Sequence, residues 1–413
     1  MKIGALLSYM IAAVSTTGIA KAPALALRKR RLKAFLSSSR SYTFPTSPHP
    51  RASFVVTVFN NAHHTLECLL SVLRMAEGAY EVIIIDDGSS DETLLMLARF
   101  KNVKVHRNAQ NLGYLRSVNV GAELARGQYL VLINSDARLI QCNLTAALDS
   151  YEAEENCGMM GARVRHVGGG LQEAGSIIYQ DGTTNGYLRY QSENDPRAMY
   201  QRDVDYCSGV FAIIARQHFE SLKGFDEAYA PAYFEETDYC MRLREKGLRC
   251  IYNPHLLVDH FEFGSSKNAK TARKMIEMRR SIFLARWAET LKAQQFFPRE
   301  SSKTRDSAAL RLLPHPRRLV ILDAKAAGSP DIQSMCENKG HLTFFVLGGT
   351  TGSIKRMIAK TGRDVAWFCG SRGQLRRFVR GSAGVFDVLD ASANVDADFV
   401  IGLRKSIALG NLN

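Results

Sequence analysis

The sequence predicts an α/β protein: a parallel sheet flanked by helices, followed by a second, smaller α/β unit. Three observations predict it. Apolar runs of strand length, SFVVTVF (53–59), EVIIID (81–86) and YLVLIN (129–134), alternate with segments of helical apolar spacing. The runs are apolar throughout rather than alternating, so both faces of the sheet are covered. The 413 residues, 46% hydrophobic and 23% charged, exceed one ordinary domain and suit two.

Residues 1–50 read as a basic arm and linker. The run 3–20 (IGALLSYMIAAVSTTGIA) carries no charge, and Arg28, Lys29, Arg30, Arg31 and Lys33 follow it. Lys2 alone is a weak basic start for a signal peptide. As a membrane anchor the run is diluted by Gly, Ser and Thr. We read it as an arm lying at a membrane surface. SSSRSYTFPTSPHPR (37–51) is a linker, rich in Ser and Pro.

After the first strand, residues 65–76 have helical spacing, and EVIIID follows. DETLLMLARF (91–100) opens with acids and reads as a helix. VKVHRN (103–108) is a strand, 114–126 a helix, and YLVLIN the next buried strand. Residues 267–297 form a long basic helical pattern. RRLVILDA (317–324), HLTFFVLGG (341–349) and DVAWFCG (364–370) are the strands of the second unit.

Charge is unevenly placed. Residues 1–50 hold eight Lys/Arg and no acid, 267–318 fourteen Lys/Arg against four acids, and 51–266 twenty against twenty-eight. An acidic middle between basic flanks excludes a nucleic-acid reader, whose positive charge should line its working face. It suits an enzyme with an acidic, metal-binding pocket whose flanks touch an anionic surface. None of the eight cysteines forms a CxxC pair, so we expect reduced, buried thiols in a reducing compartment.

In open α/β sheets ligands sit beyond the carboxyl ends of the strands. Here two of those ends are polar: Asp86-Asp87-Gly88-Ser89-Ser90-Asp91 and Asn134-Ser135-Asp136. Each alone is compatible with a turn and helix cap; two in one sheet favour a site. NLGYLRSVNVG (111–121) enters a helix, with Asn111, Gly113 and Arg116 available to a nucleotide and Asn119 and Gly121 further along. A carboxylate at Asp136 can hold a divalent cation, which neutralises a diphosphate. No GxGxxG follows the first strand, and GGTTGS (348–353) lacks the lysine of a P-loop. Glu235, Glu236 and Asp238 crowd one helix start; they complement the helix dipole if exposed, or supply a general base if buried. His260 ends a β-like run.

In order, SFVVTVFNN, EVIIIDDGSSDET, NLGYLRSVNVG, GQYLVLINSDA, Lys223-Gly224-Phe225-Asp226-Glu227, YFEETDYCMRLREKG and VDHFEFGSS resemble family 2 glycosyltransferases of GT-A fold. The resemblance covers roughly residues 52–290. LQEAGSIIYQDG (171–182) and VDYCSGVFAI (204–213) are similar to the subgroup of O-antigen and rhamnan-type polysaccharide synthesis. It implies a Rossmann-like mixed sheet over 51–266, a basic helical extension and linker over 267–316, and a partial second glycosyltransferase lobe over 317–413.

The resemblance also implies roles. Phe59, Asn60, Asp86, Asp87, Gly88, Asn111, Gly113, Arg116, Asn119, Asn134 and Ser135 would hold the nucleotide-sugar. Asp136 and His260 would hold Mn²⁺ or Mg²⁺. Glu236 would be the base, with Glu235 and Asp238 as substitutes; Glu236 stands where relatives carry Asp, one methylene shorter. Arg242 would pair with the acidic turn. The implied reaction is inverting transfer to a saccharide or lipid-linked acceptor. From the cysteines and the basic arm we expect a cytoplasmic protein that can lie peripherally at the inner face of the plasma membrane. The alternatives are an inactive scaffold that binds nucleotide-sugar, and a nucleotidyltransferase, which would want a Gly-rich basic loop where Asn60, Asn61, Ala62 and His63 stand. A processive synthase is disfavoured because Phe283 stands where QxxRW needs Gln.

Overall fold

A computed structural model of the chain describes residues 21–199, 201–262 and 269–292, and beyond them 296, 299, 312, 317–323, 341–348, 366–381 and 388–391. The uncharged run 3–20, Cys336, residues 349–353 of GGTTGS and most of the polar stretch 298–316 lie outside the described residues. The chain divides into two compact units, 1–193 with 204–299 and 194–203 with 300–413.

The first unit opens with helix α1 (Lys21–Leu36). Strand β1 (Ala52–Val58), helix α2 (Ala62–Met75), β2 (Tyr80–Asp86), α3 (Thr93–Leu97), β3 (Lys104–Arg107), α4 (Tyr114–Glu123) and β4 (Tyr129–Asn134) follow. Then come β5 (Ala137–Gln141), α5 (Leu144–Ala153), β6 (Cys157–His166), β7 (Leu171–Ala174), β8 (Phe211–Ala215), α6 (Glu235–Glu245), β9 (Arg249–His260) and α7 (Ala269–Lys292). The sheet runs β9-β6-β8-β4-β1-β2-β3, with β5 on β9 and β7 on β6.

Strands β4, β1, β2 and β3 are parallel, as their alternation with helices predicts. Beyond β4 the sheet is mixed: β8 is antiparallel to both β4 and β6, and β9 is parallel to β6. Apolar patterning alone predicted a parallel sheet; the resemblance implied a mixed one, and the mixed sheet is what forms. The direction of β8 is set by pairing with strands distant in sequence, which local periodicity does not encode.

Both faces of β1 are covered. Phe54, Val56 and Ile84 pack with Leu66, Leu69 and Val72 of α2 in one core. Val55 and Ile85 turn to the other face, where Gly121 of α4 lets the helix approach: a Cβ there would lie 2.4 Å from Val55 Cγ1.

The helix expected over 91–100 is confined to Thr93–Leu97. Arg99 then reaches away to the carbonyls of Phe35, Leu36 and Ser38, and Phe100 pairs with Tyr42 in a short parallel ladder. The basic cluster expected as a surface arm is, from Lys21 onward, a docked helix whose Leu32 and Phe35 enter the core. No helix among the described residues is long and apolar enough to cross a membrane.

Helix α7 buries Phe283, Trp287 and Leu291. Three of its arginines bond within the unit: Arg279 to the Ala230 carbonyl, Arg280 to the Asp181 carbonyl, and Arg286 to Asp226. The second unit holds β10 (Arg317–Asp323), β11 (His341–Leu347), β12 (Ala366–Gly370), helix α8 (Arg372–Gly381) and β13 (Val388–Ala391). Its four strands are parallel, in the order β12-β11-β10-β13, so one strand joins the three expected. The six cysteines of the described first unit are buried free thiols.

Candidate active site

A cavity of about 590 Å³ opens at the carboxyl ends of β1 and β4 and is closed by the start of α6. The topology explains its place. Parallel strands deliver their ends to one edge, and the antiparallel half brings β7 and β9 to the same edge.

The cavity is lined by ten of the sixteen residues singled out in the sequence. From the strand ends come Phe59, Asp87, Asn134, Ser135 and Asp136; from the loop into α4 come Asn111 and Gly113; from α6 and β9 come Glu235, Glu236 and His260.

Asp136 is buried, and its Oδ1 lies 3.1 Å from His260 Nε2. His260 Nδ1 is 2.8 Å from Gln172 Oε1, an arrangement in which Nδ1–H donates and Nε2 is left facing Asp136. Burial alone would raise the Asp136 carboxyl, but the charge and hydrogen bond of His260, with the nearby Arg28 charge, outweigh it and hold the group at about 2. Burial lowers His260, and Asp136 more than reverses that, so its pKa is raised.

Helix α6 starts on two residues of left-handed backbone, Tyr233 at φ 76° and Phe234 at φ 70°, unusual for aromatic side chains. This entry aims Glu235 and Glu236 into the cavity. Glu236 Oε1 accepts the Gly209 N–H at 3.1 Å, while its Oε2 is buried with no hydrogen-bond partner. Burial pushes Glu236 above the usual carboxylate range; burial and then the neighbouring Glu236 charge push Glu235 well above it.

Asp87 organises the loop that leads into α4. Its Oδ1 accepts from Asn108 Nδ2 and the Leu112 N–H, both at 2.8 Å, and its Oδ2 from the Gly113 N–H at 2.9 Å. Gly113 sits at φ 87° against Pro231, where a Cβ would come within 2.4 Å of the proline ring.

Six candidates do not line the cavity, and each has another task. Asp86 Oδ1 accepts the Ser89 N–H and its other oxygen faces Arg107, shaping the turn that contains Gly88 at φ 81°. Asn60 Oδ1 accepts the Ser90 N–H. Arg116 pairs with exposed Glu227, and Asn119 bonds the Phe225 backbone in both directions. Asp238, offered as a substitute base, is fully buried: Oδ2 pairs with Arg242 at 2.7 Å, and Oδ1 accepts from Tyr229 and Trp287. It is a structural anchor, because a carboxylate so engaged has no oxygen left to take a proton from a substrate.

Local patterning missed part of the cavity wall: Gln172, Glu173, Arg189, Tyr206, Ser208 and Glu262. Glu173 was legible in principle. It is a carboxylate inside the wholly buried strand β7, kept there by hydroxyl bonds from Ser176 and Ser208. Arg189 enters from a loop and pairs with Glu262.

The donor set at Asp136 and His260 fits a hard divalent cation. Among the described residues no group of three or more His, Cys, Asp or Glu side chains could hold a metal alone. Magnesium-type sites commonly take one or two protein ligands and complete their shell with phosphate and water. The unpartnered, buried Oδ1 of Asn134, on the same cavity wall, adds a hard oxygen.

Comparison with known proteins bears on this geometry. An uncharacterized protein of Sinorhizobium fredii is 24% identical over 251 residues, 58% of this chain and 27% of that protein. An N-acetylglucosaminyl-diphospho-decaprenol L-rhamnosyltransferase of Mycobacterium tuberculosis is 24% identical over 240 residues, 51% of this chain and 76% of the enzyme. An O-antigen biosynthesis protein of Myxococcus xanthus is 23% identical over 236 residues, 54% of this chain and 18% of that protein. The chain thus spans about a quarter or less of two of these relatives. The family described as glycosyl transferase family 2 matches residues 53–223, a stretch that contributes β1, β2, β4 and the Asn134-Ser135-Asp136 end of the cavity. On the motifs and these matches, the chain is similar to glycosyl transferase family 2 over residues 53–223.

Proposed function

We propose that this cavity transfers a sugar from a nucleotide-sugar donor to a hydroxyl of a saccharide or lipid-linked acceptor, with inversion, in cell-surface polysaccharide synthesis. One observation carries the reading: the Asp136–His260 pair and the unpartnered Oε2 of Glu236 open on the same cavity.

Asp136 and His260 would hold Mn²⁺ or Mg²⁺. Such an ion, when bound, supplies positive charge to a departing nucleoside diphosphate. Asp87 holds the Asn111–Gly113 loop where the nucleotide would lie. Glu236 Oε2 accepts the proton of the acceptor hydroxyl. The acceptor's oxygen then bonds to the anomeric carbon as the bond to the diphosphate breaks on the opposite side. The Gly209 N–H steadies the carboxylate through Oε1. Its raised pKa makes Glu236 a stronger base than an exposed carboxylate. A lipid-linked acceptor would bring the protein to the inner face of the plasma membrane.

The test is a screen of nucleotide-sugars for release of nucleoside diphosphate, with and without Mn²⁺. Release from one donor, lost on chelation, is expected. A protein that binds donor but never releases diphosphate, with any acceptor, would be a scaffold instead.

A further inference from the structure

Helix α1 reaches the back of the Asp136–His260 pair. Arg28, in the middle of this helix, is buried although it carries a charge. Its guanidinium lies 2.6 Å from His64 Nδ1 and donates to the backbone carbonyl of Asp136 at 3.4 Å. The same guanidinium stacks over the ring of Phe261, 5.0 Å from its centroid, and the His64 ring packs on Phe261 at 4.5 Å. Phe261 follows His260, and its N–H also donates to the Asp136 carbonyl. One side chain therefore touches the backbone of Asp136 and the ring next to His260.

Burying a guanidinium is costly unless every contact is used. Burial, then the Arg28 charge, push His64 down to about 3, so His64 stands neutral and accepts from Arg28 at Nδ1. Arg31, one turn along α1, docks the helix separately. It makes a two-oxygen pair with the buried Glu67 of α2, at 2.9 and 3.0 Å. Lys21 adds a bond to the Glu262 carbonyl at 2.8 Å. Helix α1 is thus fastened at three points, and the middle one lies behind the candidate metal pair.

We propose that Arg28 is a positioning residue that sets the spacing of Asp136 and His260, so that helix 21–36 is part of the site. This rests on the cation reading given above. The planar guanidinium is suited to the task because it donates in two directions in one plane while stacking on Phe261. A lysine offers only a point charge.

The experiment measures Mn²⁺ binding to the full chain by the loss of the free-ion electron paramagnetic resonance signal, without nucleotide. Circular dichroism melts run in parallel. Outer-shell changes typically cost about 10–100-fold in metal affinity. Arg28→Met is expected to weaken Mn²⁺ at least about tenfold. Arg28→Lys, which keeps the charge and serves if the Met variant fails to fold, is expected to weaken it by several-fold. Arg31→Gln loosens the helix through Glu67 and is expected to lower the melting temperature while leaving Mn²⁺ affinity within about twofold. Unchanged affinity in the folded Arg28 variants overturns the proposal, as does an equal loss in Arg31→Gln. A wild-type chain that takes up no Mn²⁺ removes the cation reading itself, a different failure from either of these.

Discussion

Oδ1 of Asp136, just past the end of β4, stands 3.1 Å from Nε2 of His260, the last residue of β9. These strands are not neighbours in the sheet; β8 and β6 lie between them. The pair meets because β5, which begins at Ala137, runs antiparallel on β9 and brings Ala137 opposite His260. The candidate cation site is therefore a product of sheet topology.

Replacing Asp136 by Asn removes the anionic ligand and leaves the hydrogen bond of His260 to Gln172. The fold should survive, since an amide fills the same space. Mn²⁺ uptake should be lost, and metal-dependent diphosphate release should fall by at least about 10²-fold. Full release in this variant would place the ion elsewhere.

Glu236→Gln keeps an oxygen to accept the Gly209 N–H but cannot take a proton. Turnover is expected to fall by about 10²–10⁴-fold with donor affinity unchanged. In the wild type, activity should decline as pH falls through the raised pKa of Glu236, at a higher pH than an ordinary carboxylate would give. Isothermal titration with donor, alongside the pH–rate profile, checks both.

Glu235 is raised well above its ordinary 4.5 by burial and by Glu236. Between those two values the folded protein keeps a proton that the unfolded chain has released. Stability attributable to this group therefore falls as pH rises across the interval. Glu235→Gln should raise the melting temperature at pH 8 and change it less at pH 5. A uniform shift at both would show that ionisation is not the cause.

Gly113→Ala puts a methyl against Pro231 at a backbone angle that disfavours side chains. The loop held by Asp87 must then move. A loss of about 1–3 kcal/mol in urea unfolding is expected, with weaker nucleotide binding. Wild-type values for both would mean that the loop tolerates the shift without consequence.

Asp238→Ala distinguishes anchor from base. It leaves Arg242 buried beside an apolar void and strips partners from Tyr229, Trp287 and Arg286. The expected cost is about 3–5 kcal/mol of stability. The fraction that remains folded at low temperature should turn over at the wild-type rate, and a specific loss of turnover would return Asp238 to the chemistry.

The sequence by itself determined the alternation of buried strands and helices through β4, the polar strand ends at Asp87 and Asp136, and the carboxylate pair that opens α6. These are local facts. Period, cap residues and strand-end composition act within a few residues, so they can be read in order along the chain. Only the tertiary structure decided which of those groups share a cavity. It separated Asp87 from Asp86, and Glu236 from Asp238, by what each side chain meets across the sheet. It also supplied Glu173 and Arg189 to the wall and set Arg28 behind Asp136. Those outcomes depend on the pairing of β5 with β9, the reversed direction of β8 and the docking of α1. Such contacts join residues far apart in the chain, and their strength lies in burial and charge that exist only once the segments have come together.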